Sequence, residues 1–385
     1  MSAWLQSEKY FLQESVMDQR ETDIYYMRMA LEEAVKGKGF TNPNPMVGAV
    51  IVKDGQIIAK GYHHCCGQGH AEVEAFKAAG DRDVTGATIY VTLEPCSHYG
   101  KTPPCADLII RKKVARVVIA AMDPNPLVAG RGAERIRAAG IEVVSGVLAE
   151  ESIRLNEIFM KYIVKKEPFV LYKSAMSLDG KTAAPNGESQ WISCEESRRA
   201  VHELRHQYMG IMVGSETVLK DDPMLTCRIP GGKDPVRIVC DSRLRIPMDC
   251  KLVQTAKEIP LIVACSETAS MKKMSQLQEA GVQVIPMECE GDHIDLRQLM
   301  QQLGASGIDS ILLEGGATLA CSAFECGIVD KVQFYVAPML IGGASSRTAL
   351  GGSGIAHLAD AWKLRDMQVT RSGDDLCITA YTCRE

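Results

Sequence analysis

The stretch Gly69-His70-Ala71-Glu72-Val73-Glu74, read with Leu93-Glu94-Pro95-Cys96 and Cys105, decides how the first part of the chain folds. One imidazole and two thiolates can hold a zinc ion and leave its fourth tetrahedral position to water. The carboxylate of Glu72 then stays available to move protons. This set of residues is typical of a hydrolytic deaminase, whose usual pattern is H-x-E followed by P-C-x-x-C. Here eight residues separate Cys96 from Cys105.

The spacing of these residues restricts the local structure. Two residues apart on a regular helix, His70 and Glu72 would project about 200° apart, so we expect them to share a site only at an irregular helix start. Gly69 makes such a start reasonable. Cys96 follows a predicted strand and Cys105 precedes a predicted helix, which are positions where loops present ligands. A helix N-terminus also stabilises the thiolate that zinc requires.

The long loop between the two cysteines distinguishes between substrate classes. Deaminases of nucleic acid usually keep the cysteines close together. The insert at 97–104 carries an imidazole, an ammonium group and hydroxyls beside the expected metal, which suits a small phosphorylated substrate. A solvated loop with no role in binding is the alternative interpretation.

Composition sets the broad class of protein. The 385 residues suggest two domains, and 46% apolar with 24% charged residues is typical of a soluble globular chain. A net charge of −5 gives no reason to expect nucleic-acid binding. The start does not resemble a secretory signal, and no apolar run is long enough for a membrane helix, so we expect a cytoplasmic protein. Its fourteen cysteines should then remain thiols.

Periodicity predicts two α/β domains. Residues 1–22 are expected to be a loose extension, followed by a helix over 24–35 and a hairpin whose Asp54-Gly55 turn is of type I′. Strands alternate with helices up to a closing helix over 149–163. The break at Lys165-Lys166-Glu167-Pro168 places the junction, giving a first domain over 23–166 and a second over 167–385.

The second domain has short apolar runs separated by helical stretches, which predicts a doubly wound, mainly parallel sheet. A helix is expected over 195–207. The strand at 310–314 leads into Gly315-Gly316-Ala317-Thr318, a glycine-rich turn that opens a helix and can bind phosphate through backbone N–H groups. The turn is not G-x-G-x-x-G, and a glycine turn needed only for packing is equally compatible with the sequence.

A family resemblance rests on motifs spread along nearly the whole chain after residue 22. Those of the first half are Pro43-Asn44-Pro45-Met46-Val47-Gly48, Gly61-Tyr62-His63, His70-Ala71-Glu72-Val73, Leu93-Glu94-Pro95-Cys96-Ser97-His98, Lys101-Thr102-Pro103-Pro104-Cys105 and Asp123-Pro124-Asn125-Pro126. Those of the second half are Lys173-Ser174-Ala175, Asp179-Gly180-Lys181-Thr182, Ser189-Gln190-Trp191-Ile192, Asp221-Asp222-Pro223-Met224-Leu225-Thr226 and Leu313-Glu314-Gly315-Gly316. In combination they resemble the bifunctional riboflavin biosynthesis deaminase-reductase family.

The resemblance implies a fold, two cofactors and two sets of site residues. The first domain would be a three-layer, cytidine-deaminase-like α/β domain with zinc on His70, Cys96 and Cys105, Glu72 as proton shuttle, and substrate contacts from Asn44, His63, His98 and Lys101. The second would be a dihydrofolate-reductase-like α/β domain with Lys173 as a candidate catalytic group. NADPH would contact Ala175, Trp191, Thr217, Asp221, Ser242, Gly316, Ala317, Thr318, Leu319, Ala320, Cys321 and Ser322. The ribose phosphate substrate would contact Ser189, Arg205, Met224, Arg228 and Glu314.

The implied function is hydrolytic deamination of a phosphoribosyl diaminopyrimidine, followed by NADPH-dependent reduction of its ribosyl group to ribityl. The guanidinium groups of Arg205 and Arg228 suit a phosphate ester, although a surface ion pair is the commoner role of an arginine. We expect a small-molecule substrate, no nucleic-acid or membrane partner, and a homo-oligomer, either a dimer or a tetramer. The rival interpretations are a nucleic-acid base deaminase, which should carry a basic or aromatic groove, and a zinc-stabilised scaffold with four ligands.

Overall fold

The structure, a computed structural model, describes residues 18–99, 103–125, 128–290 and 293–383. Predicted contact Lys101 and most of the predicted extension lie outside these ranges. The chain forms two compact units. The first unit comprises Met1–Gly37 and Met46–Asn156, and the second comprises Lys38–Pro45 and Glu157–Glu385.

The first unit is a mixed sheet with helices, as the α/β prediction requires. Its strands run in the order β2-β1-β3-β4-β5, where β1 is antiparallel to both neighbours and β3, β4 and β5 are parallel. The elements are α1 (Gln19–Val35), β1 (Gly48–Lys53), β2 (Gln56–Tyr62), α2 (Ala71–Ala79), β3 (Thr88–Leu93), α3 (Cys105–Arg111), β4 (Arg116–Ala121), α4 (Arg131–Ala138), β5 (Glu142–Ser145) and α5 (Ala149–Leu155).

Local sequence accounts for most of these elements. The Asp54-Gly55 turn has φ values of 51° and 75°, as a type I′ hairpin requires, so this prediction is confirmed. Strands β1, β3 and β4 are almost entirely buried, because helices cover both faces of a sheet that is partly parallel. The apolar residues of α2 and α3 pack on one face of this sheet.

Helix α1 begins at Gln19, inside the range 1–22 that is predicted as an extension, and residues 1–17 lie outside the described ranges. Asp18 caps the helix by accepting a hydrogen bond from the backbone N–H of Glu21, while the Glu21 side chain accepts from the N–H of Asp18. Asp23 is buried within the helix. There it accepts hydrogen bonds from Arg116 at 2.6 and 2.8 Å.

The second unit contains a nine-stranded sheet in the order β10-β9-β8-β7-β13-β6-β14-β16-β15. Pairing is parallel from β10 to β14 and antiparallel through β16 and β15, so the mainly parallel sheet is confirmed. Its elements begin with α6 (Glu157–Lys165), β6 (Phe169–Ser177), α7 (Glu195–Gln207), β7 (Gly210–Gly214), α8 (Ser215–Asp221), β8 (Val236–Cys240), α9 (Lys251–Gln254) and β9 (Leu261–Ser266). They continue with α10 (Met271–Glu279), β10 (Gln283–Met287), β11 (Cys289–Glu290), β12 (His293–Ile294), α11 (Leu296–Ala305), β13 (Ser310–Glu314), α12 (Ala317–Glu325), β14 (Lys331–Ala337), a 3₁₀ turn (Leu358–Asp360), β15 (Leu364–Ser372) and β16 (Asp375–Thr382).

The single closing helix predicted over 149–163 is wrong, because the chain breaks at Asn156 into α5 and α6. The Asn156 side chain accepts from the backbone N–H of Met46 and donates to its carbonyl, at 2.8 and 2.9 Å. Helix α6 belongs to the second unit, where Glu157 binds Lys331 and Lys161 binds Asp330. The compact units therefore divide at 156/157, ten residues before the predicted junction.

None of the helices in the described part of the chain is long and apolar enough to cross a membrane.

Candidate active sites

The predicted zinc ligands of the first unit converge. The ligand atoms of His70, Cys96 and Cys105 all lie within 4.8 Å of one another. His70 Nδ1 is 3.5 Å from the sulfur of Cys96 and 3.3 Å from that of Cys105. Tetrahedral zinc with ordinary bond lengths holds a sulfur and a nitrogen about 3.6 Å apart, so the donor set fits this metal.

The start of α2 explains how His70 and Glu72, which are two residues apart, can share one site. His70 is the N-cap, with an extended backbone at φ −69° and ψ 163°, and the helix begins at Ala71. Glu72 therefore lies on the first turn while His70 precedes it, as expected from Gly69. A side chain on Gly69 would meet the Glu74 carboxylate at 2.2 Å.

The two cysteines are held by the loop that follows β3. The backbone N–H of Cys105 donates to the Cys96 sulfur at 3.3 Å, and the N–H of Ala106 donates to the Cys96 carbonyl at 3.2 Å. Hydrogen bonding to Cys105 and His70 lowers the pKa of the Cys96 thiol to about 4. The Cys96 thiolate in turn raises the pKa of His70 to about 9. Zinc displaces such shared protons, because its ligands bind deprotonated.

Glu72 lies beside this cluster and is almost fully buried. Burial raises the pKa of the Glu72 carboxyl, an effect that the nearby His70 opposes. A carboxyl group whose pKa is raised is better suited to taking up and releasing protons than an ordinary carboxylate.

Glu94 has a structural role that the motif alone did not reveal. Its carboxylate accepts hydrogen bonds from four backbone N–H groups, those of Asp123, Gly130, Gly132 and Ala133, at 2.9 to 3.3 Å. It therefore acts as an N-terminal cap of α4 from a distant part of the sequence. A Cβ on Gly132 would lie 1.9 Å from the Pro95 carbonyl oxygen, so glycine is needed at this contact beside Cys96.

The predicted pyrimidine contacts have different positions. His63 is buried, its Nδ1 lies 2.9 Å from the Gly69 carbonyl oxygen, and its ring packs edge-on against His70 at 5.7 Å. Burial raises the pKa of the Asp123 carboxyl, and the exposed His98 is close enough to oppose this effect. Asn44 belongs to the Lys38–Pro45 segment of the second unit.

In the second unit, a charged cluster unites several predicted substrate residues. Lys173 and Glu314 are partners on the parallel strands β6 and β13, and their charged groups lie 3.9 Å apart. Arg205 binds Glu314 through two hydrogen bonds of 2.9 Å and also donates to the Thr226 carbonyl at 3.0 Å. Arg205 thus forms an ion pair with Glu314 through its Nε and Nη2 atoms. An ion pair is the alternative role named for this arginine from the sequence, although this pair is largely buried and not on the surface.

The electrostatics of this cluster favour the ionised form of Glu314. Burial opposes ionisation of Glu314, but Arg205 and Lys173 lower its pKa to about 2. Burial lowers the pKa of Lys173, and Glu314 opposes this effect. His202, which the sequence reasoning missed, lies one turn before Arg205. Burial and the nearby Arg205 and Arg228 lower the pKa of its imidazole, whereas Glu314 opposes this effect. Its Nδ1 is buried and has no hydrogen-bond partner among the described residues.

A cavity of about 1100 Å³ opens at the carboxyl ends of β7, β8 and β13. Gly315 and Gly316 there have φ values of 78° and 80°, and α12 begins directly after them. The predicted residues that line the cavity are Ser189, Thr217, Asp221, Ser242, Gly316, Ala317, Thr318, Leu319 and Ser322. This edge of an open α/β sheet is where nucleotides usually bind.

Other predicted cofactor contacts do not line this cavity. The side chains of Ala320 and Cys321 on α12 are buried in the core. Ala175 packs with Val201 and Tyr335. Trp191 is exposed, and the guanidinium group of Arg198 lies over its ring at 4.6 Å. The roles assigned to these residues stay predictions.

The fold and the metal ligands define a zinc deaminase domain joined to a nucleotide-binding reductase domain. Residues 20–121 match the model of the cytidine and deoxycytidylate deaminase zinc-binding region, and residues 168–378 match that of the RibD C-terminal domain. The riboflavin biosynthesis protein RibD of Actinobacillus pleuropneumoniae is 51% identical over 93% of this chain and 94% of its own length. That of Escherichia coli K12 is 42% identical over 92% and 98%.

Solved structures agree with this assignment. One is a diaminohydroxyphosphoribosylaminopyrimidine deaminase/5-amino-6-(5-phosphoribosylamino)uracil reductase from Thermotoga maritima. It superposes with a TM-score of 0.84 at 37% identity and covers 94% of this chain and 99% of its own. RibD of Acinetobacter baumannii gives 0.84 at 35% identity, covering 95% and 100%. The chain belongs to the RibD family of riboflavin biosynthesis proteins. It is a bifunctional deaminase and reductase that uses zinc and NADPH.

Replacing Cys96 with serine should abolish tight zinc binding, because it removes one of three converging ligands. The metal content of the purified protein, measured by mass spectrometry, should fall from about one zinc per chain to less than about a tenth. Cys66→Ser is the matched control, since this exposed cysteine lies outside the cluster. Full zinc content in Cys96→Ser would show that the cluster is not the metal site.

Proposed function

We propose that the first unit hydrolyses the 2-amino group of 2,5-diamino-6-(5-phosphoribosylamino)pyrimidin-4-one. The second unit then reduces the ribosyl group of the resulting 5-amino-6-(5-phosphoribosylamino)uracil to ribityl. The main support for the first step is the convergence of His70, Cys96 and Cys105 beside the buried Glu72. The charged cluster beside a nucleotide-sized cavity supports the second. The names and coverage of the relatives agree with both substrates.

In the deaminase step, Glu72 takes a proton from the attacking water and delivers it to the ring nitrogen and then to the leaving ammonia. Its place on the first turn of α2, next to the three ligands, suits this transfer. Zinc, when bound, supplies the Lewis acidity that lowers the pKa of a coordinated water to about 7. We assign the pyrimidine and its phosphoribosyl group to Asn44, His63, His98 and Lys101.

Glu72→Gln should separate metal binding from catalysis. The amide keeps the shape of the side chain but cannot carry the proton, so ammonia release should fall about 10²- to 10⁴-fold while zinc content stays unchanged. Reduction of the pre-deaminated uracil substrate serves as the internal control and should be unaffected. Full deaminase activity in this variant would disprove the role of Glu72.

In the reductase step, C1′ of the ribosyl group gains a hydride from NADPH and the bond from C1′ to the ring oxygen breaks. The ring oxygen must therefore gain a proton. We assign this transfer to Lys173, whose buried ammonium group is held near Glu314. NADPH is assigned to the cavity, with its pyrophosphate at the glycine turn that opens α12. Ala175 and Trp191 would contact the cofactor outside the cavity lining.

The substrate phosphate is assigned chiefly to Arg228, with Ser189 and Met224 nearby in the predicted site. Arg205 holds Glu314 through its Nε edge, so we assign it mainly to positioning that carboxylate. Arg228 is exposed and acts electrostatically on His202, and both observations support an accessible guanidinium group near the cluster. An arginine can bind a phosphate ester through two parallel hydrogen bonds.

Arg228→Gln should raise the KM for the uracil substrate about 10- to 100-fold, because a charge-assisted contact to phosphate is lost. The affinity for NADPH should not change. Arg199→Gln is the matched control, since Arg199 is exposed on α7 and lies outside the predicted site. Unchanged KM in Arg228→Gln would remove this residue from the substrate site.

We further propose that the functional domains are residues 23–166 and 167–385, preceded by the extension 1–22, and that the enzyme works in the cytoplasm. All fourteen cysteines are free thiols, which agrees with a reducing compartment. Fluorescence microscopy of the tagged chain in its host would test the localisation, and a signal confined to the cell envelope would contradict it.

The second unit also carries a surface suited to a second copy of the chain, so we propose a homo-oligomer. Strand β15 is the open edge of the nine-stranded sheet and is exposed along almost its whole length. It displays Met367 and Val369, which are 67% and 54% exposed, and the nearby 3₁₀ turn displays Leu358. Apolar residues on an open sheet edge favour pairing with another chain.

Light scattering should therefore give at least twice the mass of the 42.0 kDa chain. Met367→Glu should shift this mass towards that of the monomer, because it places a charge in the paired edge. Gln368→Glu adds the same charge at the next residue, whose side chain projects to the other face, and serves as the control. A monomeric wild-type protein would contradict the proposal.

A further inference from the structure

The turn that follows β8 presents two arginines to the nucleotide cavity. Residues 241–246 form a tight turn in which Leu244 has a φ of 51°, and its side chain is buried in the core together with Ile246. The Asp241 carboxylate accepts a hydrogen bond from the Ile246 N–H at 2.9 Å and fixes the turn. Because Leu244 points inwards, its neighbours Arg243 and Arg245 both line the cavity.

Arg245 is held in place by its surroundings. Its Nη2 donates to the Ser215 hydroxyl at 2.7 Å, and its Nε lies 3.9 Å from Asp241 Oδ1, a buried oxygen with no hydrogen-bond partner among the described residues. Ser215 also lines the cavity. The Arg245 side chain is 48% exposed, so it is preorganised yet can still bind a ligand.

The charge of the cavity suits an anion at this end. Among the described lining residues, Lys220, Arg243, Arg245 and Arg347 are cationic, whereas Glu216 and Asp221 are acidic. Glu216 is already paired with Lys220 at 2.9 Å. Glu216 also lies 4.0 Å from Arg245, so its charge is shared between two cations, and the four cationic side chains outnumber the two acidic ones in this lining.

The turn that carries the arginines lies near the glycine turn that follows β13. The sheet order β8-β7-β13 places the end of β8 two strand spacings, roughly 10 Å, from the glycine turn after β13. A dinucleotide whose pyrophosphate is bound at that turn is long enough for its adenosine half to reach the end of β8, where the arginines can contact a phosphate on that half.

We propose that Arg243 and Arg245, together with the hydroxyls of Ser215 and Ser242, bind the 2′-phosphate of NADPH and select it over NADH. This inference rests on the assignment of NADPH to this cavity. NADH differs from NADPH in bearing a hydroxyl at the 2′ position, so it cannot form the charge-assisted contacts that the arginine fork makes to phosphate.

Arg243→Gln, Arg245→Gln and the double variant test the proposal through binding alone. The dissociation constants of NADPH and NADH are measured by nicotinamide fluorescence without pyrimidine substrate. Each single variant should weaken NADPH binding about 10-fold and the double variant about 100-fold, while NADH binding changes less than about 2-fold. Lys220→Gln is the matched control, because Lys220 lines the same cavity but is paired with Glu216, and it should leave the NADPH/NADH ratio unchanged.

A second measurement uses a probe that carries the phosphate itself. 2′-AMP should compete with NADPH for the wild-type protein and lose this ability in the double variant, whereas 5′-AMP should behave alike in both. Equal losses for NADPH and NADH would show a structural role and overturn the proposal. An unchanged ratio in the double variant, or a loss of NADPH selectivity in Arg347→Gln instead, would also overturn it.

Gly316→Val distinguishes failure of this inference from failure of the cofactor assignment. Gly316 has a φ of 80°, which a branched residue does not tolerate, so the variant should weaken both nucleotides alike if the cavity holds the dinucleotide. Thermal melting checks that the protein still folds. If Gly316→Val folds and binds both nucleotides normally, the assignment of NADPH to the cavity fails, and the 2′-phosphate proposal fails with it.

Discussion

The convergence of two sulfur atoms on one imidazole nitrogen is the constraint on which the deaminase half depends. His70 must leave the helix to meet the cysteines, and it does so as the extended N-cap of α2. Cys96 must be held in a fixed position after β3. The four hydrogen bonds to Glu94 hold it there by joining that loop to the start of α4. The close contact of Gly132 with Pro95 completes this support. Ligand geometry within a few tenths of an ångström needs such supporting contacts.

The reductase half relies on strand register rather than on a metal. Parallel pairing of β6 with β13 sets Lys173 beside Glu314, and the same strand β13 ends in the glycine turn that opens the cavity. One strand thus contributes to both the charged cluster and the cavity. Side-by-side residues on parallel strands point to the same face, so the Lys173 and Glu314 side chains are brought together by this register.

The sequence was informative where local chemistry decides the structure. The hairpin at Asp54-Gly55, helix α7 and the short buried strands follow from turn residues and periodicity, and the zinc ligands follow from residue types that are rare in combination. The start of α1 could have been predicted, because Asp18 and Glu21 form a capping-box pattern. The break at Asn156 could not, because it depends on hydrogen bonds to Met46, 110 positions away. Similarly, the residues around Arg205 do not indicate that it binds Glu314. Those around Arg243 and Arg245 do not indicate that both line a cavity, because these positions are set only when distant strands pair.

Coupling between the two chemical steps is the central claim, and NADPH oxidation measures it most directly. Purified protein is supplied either with the diaminopyrimidine phosphate or with its pre-deaminated uracil form, before and after zinc is removed by a chelator. The account predicts that oxidation requires zinc with the first substrate but not with the second. Oxidation of the diaminopyrimidine at an undiminished rate without zinc would contradict the order of the steps, and ammonia release with no NADPH consumption from either substrate would contradict the reductase.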